Sequence, residues 1–126
     1  MNRESFKKIL DEYYATSPPV KYCIALDFDG TLCDSHYPNL GDEIKPICDF
    51  IRSIQDFDVV IVLNTCRTGK ALADALKWCD EHNIKYTYFN GNDPHRIITW
   101  GADSRKISCD MLIDNTCYNF NINDFN

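Results

Sequence analysis

No stretch of this sequence approaches the apolar length of a membrane span, about 20 residues, and the N-terminal MNRESFKKIL lacks the apolar core of a signal peptide. Both absences set the expectation of a cytoplasmic protein with no membrane partner. The spacing C-x-x-C is also absent, although cysteines stand at 23, 33, 48, 66, 79, 109 and 117. Zinc ribbons and dithiol redox motifs use that spacing, so neither is expected. The pairs Cys33/His36 and Cys79/His82 bring too few ligands for a tetrahedral zinc site. An odd cysteine count fits reduced thiols acting as small, mostly buried hydrophobes. Basic residues are in deficit, 13 against 19 acids, for a net charge of −6. A broad nucleic-acid footprint needs the opposite sign. A short nucleotide or a local basic patch stays compatible with that balance.

What is present reads as one ordinary globular domain. Apolar content of 44% and charged content of 25% over 126 residues suit a single compact unit. The expected domain is residues 1–126, with an N-terminal helix at about 3–15 and a core at about 20–116. Apolar residues Phe6, Ile9, Leu10, Tyr13 and Tyr14 recur at helical spacing until Ser17-Pro18-Pro19. Strands are expected at 21–27, 58–64, 85–89 and 109–113, and helices at 43–54, 69–82 and 94–100. Residues 28–42 read as a loop over the mouth of the sheet, and the tail after Asn115 as polar and Asn-rich. Alternating strands and helices predict an α/β fold: a three-layer Rossmann-like domain around a parallel sheet with right-handed crossovers. The expected strand order is third, second, first, fourth, which puts the first strand at the topological switch point.

Chemistry concentrates at the end of that first strand, in Cys23-Ile24-Ala25-Leu26-Asp27-Phe28-Asp29-Gly30-Thr31. Asp27 and Asp29 are two apart, so an extended chain points them the same way. Crowded anions repel, and burying them is costly unless a cation joins them. A hard divalent ion with oxygen ligands, most naturally magnesium, answers that. The plain alternative is a strand ending in an Asp-Gly turn.

The string resembles the first motif, D-x-D-G-T, of the haloacid dehalogenase superfamily of phosphatases. Leu63-Asn64-Thr65-Cys66-Arg67, closing the second strand, resembles that family's second motif. A Thr65 hydroxyl can donate to phosphate, the following N–H groups open a helix, and Arg67 could add a bidentate grip. Met111-Leu112-Ile113-Asp114-Asn115 resembles the fourth motif, with Asn115 where many relatives have a second acid. Thr65 could equally be a helix cap and Asp114-Asn115 a capping turn. The third motif supplies a lysine. Lys106 is the positional candidate, although it precedes the fourth strand whereas Asp114 follows it. Lys70, Arg67 and Arg96 stay open as the phosphate-binding cation. His36 could face substrate. His82 reads as a helix-end partner, Asp110 as structural, and Tyr37, Tyr86, Tyr88 and Trp100 as packing.

The resemblance spans roughly residues 21–115 and implies a small phosphatase without a cap domain. In that reading Asp27 is the nucleophile and Asp29 the acid/base. Thr65 and Lys106 act on the phosphoryl group, which the chain at Phe28, Gly30, Thr65, Cys66 and Arg67 binds. Magnesium is held by Asp27, the Asp29 carbonyl, Asp114 and Asn115. The implied partner is a phosphorylated substrate of unspecified identity, and a neighbouring subunit could cover the open site. Two other readings are a non-catalytic phosphate- or nucleotide-binding module and a nucleic-acid-end phosphatase. Clustered basic residues beside the mouth would favour the last.

Overall fold

In the computed structural model, which describes residues 1–125, four parallel strands form one sheet in the order β3-β2-β1-β4. The strands are β1 (Tyr22–Leu26), β2 (Val59–Leu63), β3 (Tyr88–Phe89) and β4 (Met111–Ile113), and the helices are α1 (Arg3–Ala15), α2 (Lys45–Ile54), α3 (Gly69–Glu81) and α4 (Pro94–Trp100). The order and the helix positions are those the sequence predicts. No helix among the described residues is long and apolar enough to cross a membrane.

Each helix starts where its sequence offers a cap or a proline. The Asn2 side chain accepts from Ser5 N–H, and Ser5 Oγ accepts from Asn2 N–H, closing a reciprocal cap on α1. Pro46 and Pro94 occupy the first turns of α2 and α4, where a missing N–H costs nothing. Asn83, with φ 56°, ends α3 in the left-handed region.

Strand β1 is buried at every position and hydrogen-bonded on both sides, Leu26 pairing with Leu63 of β2 and Ile113 of β4. Its alternate residues feed two unequal cores. Tyr22, Ile24 and Leu26 share one face with Ile61, Leu63 and the buried sides of α1, α2 and α3. Cys23, Val60 and Val62 face the other way, against Tyr88, Ile107 and Cys109. That second layer is thin, because α4 has seven residues and the segment after it is irregular.

Two elements differ from expectation. Strand β3 is two residues long: Thr87 N–H still donates to Ile61 O, but Ile61 N–H goes to the Thr87 hydroxyl and Lys85 N–H to Gln55 Oε1, so side chains take the place of ladder partners. The tail is not simply polar. Phe120, Ile122 and Phe125 pack on the main core, with Phe125 5.4 Å from Phe50 in an edge-on pair. Of the aromatics read as packing, Tyr37 and Trp100 are largely exposed. Burial pushes the thiols of Cys23, Cys48 and Cys79 up to about 12, which keeps them protonated and inert.

Arg96 closes the amino end of the sheet. It is 5% exposed and donates to Lys21 O, to Ser108 Oγ and to Asp110 Oδ2. Asp110 Oδ2 also accepts from Cys23 N–H at 2.9 Å. Asp110→Ala should therefore destabilise the protein by about 2–4 kcal/mol, since it strands a buried guanidinium. Urea unfolding would read this as a lowered midpoint. An unchanged midpoint would mean that Arg96 finds another partner.

Candidate active site at the carboxyl end of the sheet

Asp27 follows the last residue of β1, and its N–H still donates to Ile113 O at 2.9 Å. The chain then turns sharply, with Leu32 and Cys33 N–H both donating to Phe28 O. Gly30 stands in that turn at φ 78°, and a Cβ there would come within 2.6 Å of the Asn115 amide. Only glycine serves both the left-handed backbone and the close approach. Its N–H donates to Cys33 O, so Gly30 shapes the turn and has no free donor for phosphate.

The turn brings Thr31, Asn115 and Asp27 together. The buried Thr31 hydroxyl donates to Asp27 Oδ2 at 3.0 Å and accepts from Asn115 N–H at 2.9 Å. One terminal atom of the Asn115 amide lies 3.0 Å from Asp27 Oδ2 and 3.2 Å from the Asp29 carbonyl. Hydrogen bonding assigns it as nitrogen, donating to both. With oxygen there instead, three acceptors would crowd one point, which is stable only around a cation. Asp114 accepts from Thr116 N–H and Oγ1 through Oδ1, so the capping turn is real. Its charge nevertheless reaches Asp27. Burial, and then the charges of Asp114 and Asp29, push the Asp27 carboxyl up to about 6 against the pull of its hydrogen bonds.

Asp29 has the opposite environment. Burial would raise it, but the Arg67 guanidinium and Ser35 outweigh burial and hold its carboxyl below the usual range. Arg67 is 1% exposed, and its Nε and Nη2 grip both Asp29 oxygens at 2.7–3.1 Å. Its Nη1 donates to Pro38 O and Ala71 O. All three nitrogens are engaged, which corrects the expectation that Arg67 grips phosphate directly. Sequence reading missed this pair because Asp29 and Arg67 lie 38 residues apart.

The other expected residues fall as follows. The Asn64 N–H donates to Leu26 O, so Thr65 lies one step beyond it at the end of β2. Thr65 Oγ1 accepts from Arg67 N–H at 3.1 Å, which leaves the hydroxyl proton to donate. Cys66 is exposed beside it. Phe28 is buried edge-on against Trp78 at 5.3 Å, and its N–H bonds the Asp27 carboxylate. Lys70 pairs with Asp74 at 2.8 Å on the solvated side of α3, and Arg96 belongs to the opposite end of the sheet, so neither is the site cation. Lys106 lies on the thin face, lining a cavity with Ala25 and Asn64 but also with Cys109 and Asp110 at the start of β4. It lies more than 4.0 Å from every described carboxylate. His36 is exposed in the loop, and His82 stacks on Trp78 and pairs with Glu43 at 3.3 Å.

Among the described residues no group of three His, Cys, Asp or Glu side chains gathers as a metal site. The set at Asp27 is of another kind: two carboxylates, the Asp29 carbonyl and the Asn115 amide. The carboxylates and the carbonyl are hard oxygen donors with net negative charge, which fits magnesium, and the Asn115 amide would bring its oxygen to the ion by turning over.

No family model matches the chain, and no curated protein matches it. Among solved structures, one described as a conserved protein coded by a locus from Bacteroides thetaiotaomicron is similar. It is 29% identical, covers 79% of both chains and superposes with a TM-score of 0.67. The likeness supports the single α/β domain with its parallel sheet, and its description names no activity.

The raised Asp27 carboxyl has a consequence for stability. Its folded value, about 6, lies above the ordinary carboxylate value of 3.8, so the folded state binds the extra proton between them. Stability in EDTA should then fall as pH rises from about 4 to 6 and level off above. Asp27→Asn removes the repelling charge and should gain roughly 1–2 kcal/mol at pH 7, allowing for the partly open side. Urea midpoints of both proteins from pH 4 to 8 test this. Parallel curves would show that Asp27 carries no excess charge energy.

Proposed function

We propose that the chain is a magnesium-dependent phosphohydrolase of the haloacid dehalogenase type, cleaving phosphate monoesters through Asp27. One observation carries the reading: a partly buried carboxylate at the end of the central strand, raised by burial and then by neighbouring acids, and lacking a cation of its own. Such a group is unfavourable for the fold alone and suits a site that awaits positive charge. Bound magnesium would supply that charge and offset repulsion between the acids and phosphoryl oxygens. Asp27, the Asp29 carbonyl, Asp114 and Asn115 would hold it.

Asp27 attacks phosphorus to form an aspartyl-phosphate, and the ester oxygen leaves with the bonding electrons and takes its proton from water. Asp29 is the acid/base. Held ionised by Arg67, it is well placed to take the proton of the water that hydrolyses the intermediate. Arg67 thus serves the reaction through Asp29 and not by touching phosphate. The Thr65 hydroxyl, the N–H of Cys66 and the Lys106 ammonium neutralise the phosphoryl oxygens. Phe28 and Gly30 set the turn that aims both acids.

A library of phosphate esters, assayed with magnesium and with EDTA, tests the reading. Turnover should need the metal, vanish in Asp27→Asn and demand more magnesium in Asp114→Ala. Lys106→Ala should raise KM and lower kcat while the urea midpoint stays near that of the unmodified protein. EDTA-insensitive turnover, or full activity without Asp27, would sink the mechanism. Phosphate binding without turnover would favour a binding module on the same fold.

A further inference from the structure

The thin face of the sheet carries a feature beyond the carboxylate ledge. A cavity of about 450 Å³ lies there, within the ~300–1,000 Å³ usual for small-molecule sites. Its floor is apolar and comes from Ala25, Ile107 and Leu112. Ala25 offers only a methyl group, and Leu112, paired beside it, is 49% exposed. Arg105 and Lys106 line the same cavity, and neither has a described carboxylate within 4.0 Å. The acid in the lining, Asp110, is neutralised by Arg96. Two cations with no acid beside them therefore overlook an apolar floor in a protein of net charge −6.

The loop that presents them is tied down. Asn92, 8% exposed, donates from Nδ2 to Asp103 Oδ1 at 3.1 Å and to Ser104 O at 2.9 Å. Its Oδ1 accepts from Ser108 N–H at 2.7 Å. One buried amide thus clamps both ends of the segment that holds Arg105, Lys106 and Ile107. Ser104 Oγ adds a bond to Lys106 O at 2.7 Å. The backbone that carries the two cations is thereby held, and their side chains stay exposed.

We propose that this cavity binds a small organic anion, its apolar or aromatic body on the Ala25–Leu112 floor and its negative group held by Arg105 and Lys106. An inorganic anion would leave the floor wet, and a neutral apolar body would leave both cations without a counter-charge. A nucleic acid strand would need a longer basic track than two residues. The cavity shares Lys106 with the proposed phosphate site, and the test therefore turns on Arg105, which that site does not use.

Naphthalene-1-sulfonate, titrated into the full chain in EDTA and followed by amide chemical shifts, tests the assignment. Saturable shifts are expected at Ala25, Ile107 and Leu112. Arg105→Glu should weaken binding about tenfold or more. Lys70→Glu makes the same charge change outside the cavity and should alter affinity by less than about twofold. Arg105→Gln gives a second measure if charge reversal disturbs the fold. Shifts confined to other residues, equal losses in the Lys70 and Arg105 variants, or equally tight binding of neutral 1-naphthol or inorganic sulfate would each overturn the proposal.

Discussion

Arg67 carries a permanent charge at 1% exposure, and that constraint organises the carboxyl end of the sheet. A guanidinium so placed is stable only with a carboxylate and a full set of acceptors. Asp29 supplies the carboxylate, Pro38 and Ala71 the carbonyls. The pair thereby joins four stretches of chain: the turn at Asp29, the later loop at Pro38, the segment after β2 and the first turn of α3. Tyr37 lies over the same guanidinium, 5.0 Å from its ring centroid, and Phe28 at 5.3 Å. Removing either charge would loosen all four pieces at once.

Asp29 and Asp27 show how two carboxylates on one turn acquire different chemistry. The one beside Arg67 is held low, and the one beside other acids is pushed to about 6. Fold stability gains from the first and loses from the second. A local conflict of this kind is where binding sites are expected, since a sequence selected for stability alone would remove it. The Asn115 amide eases the conflict by donating to Asp27 Oδ2 and the Asp29 carbonyl.

The sheet's two faces divide the work. Helices α1, α2 and α3 bury one face and account for most of the apolar core. The other face has the short α4 and an irregular segment that returns to β4 across the strands. That return path carries Arg105 and Lys106 along the thin face. It also leaves Leu112 uncovered and creates the cavity beside the ledge.

Much of this was legible in the residues themselves. Local signals determined the helices and strands: the periodic apolar residues of α1 to α3, the prolines at their first turns and the continuous apolar runs of β1 and β2. Strand alternation with helices determined the parallel sheet and its order, and Asp27-Phe28-Asp29-Gly30 marked the site because β1 had to end there. Phe120 and Phe125 escaped because polar neighbours mask their spacing. The brevity of β3 escaped because side chains far along the chain take its donors. Only the tertiary structure decided that Arg67 belongs to Asp29 and that Arg96 belongs to Asp110. The sequence names the charges, but which charge neutralises which depends on distances set when separate segments pack.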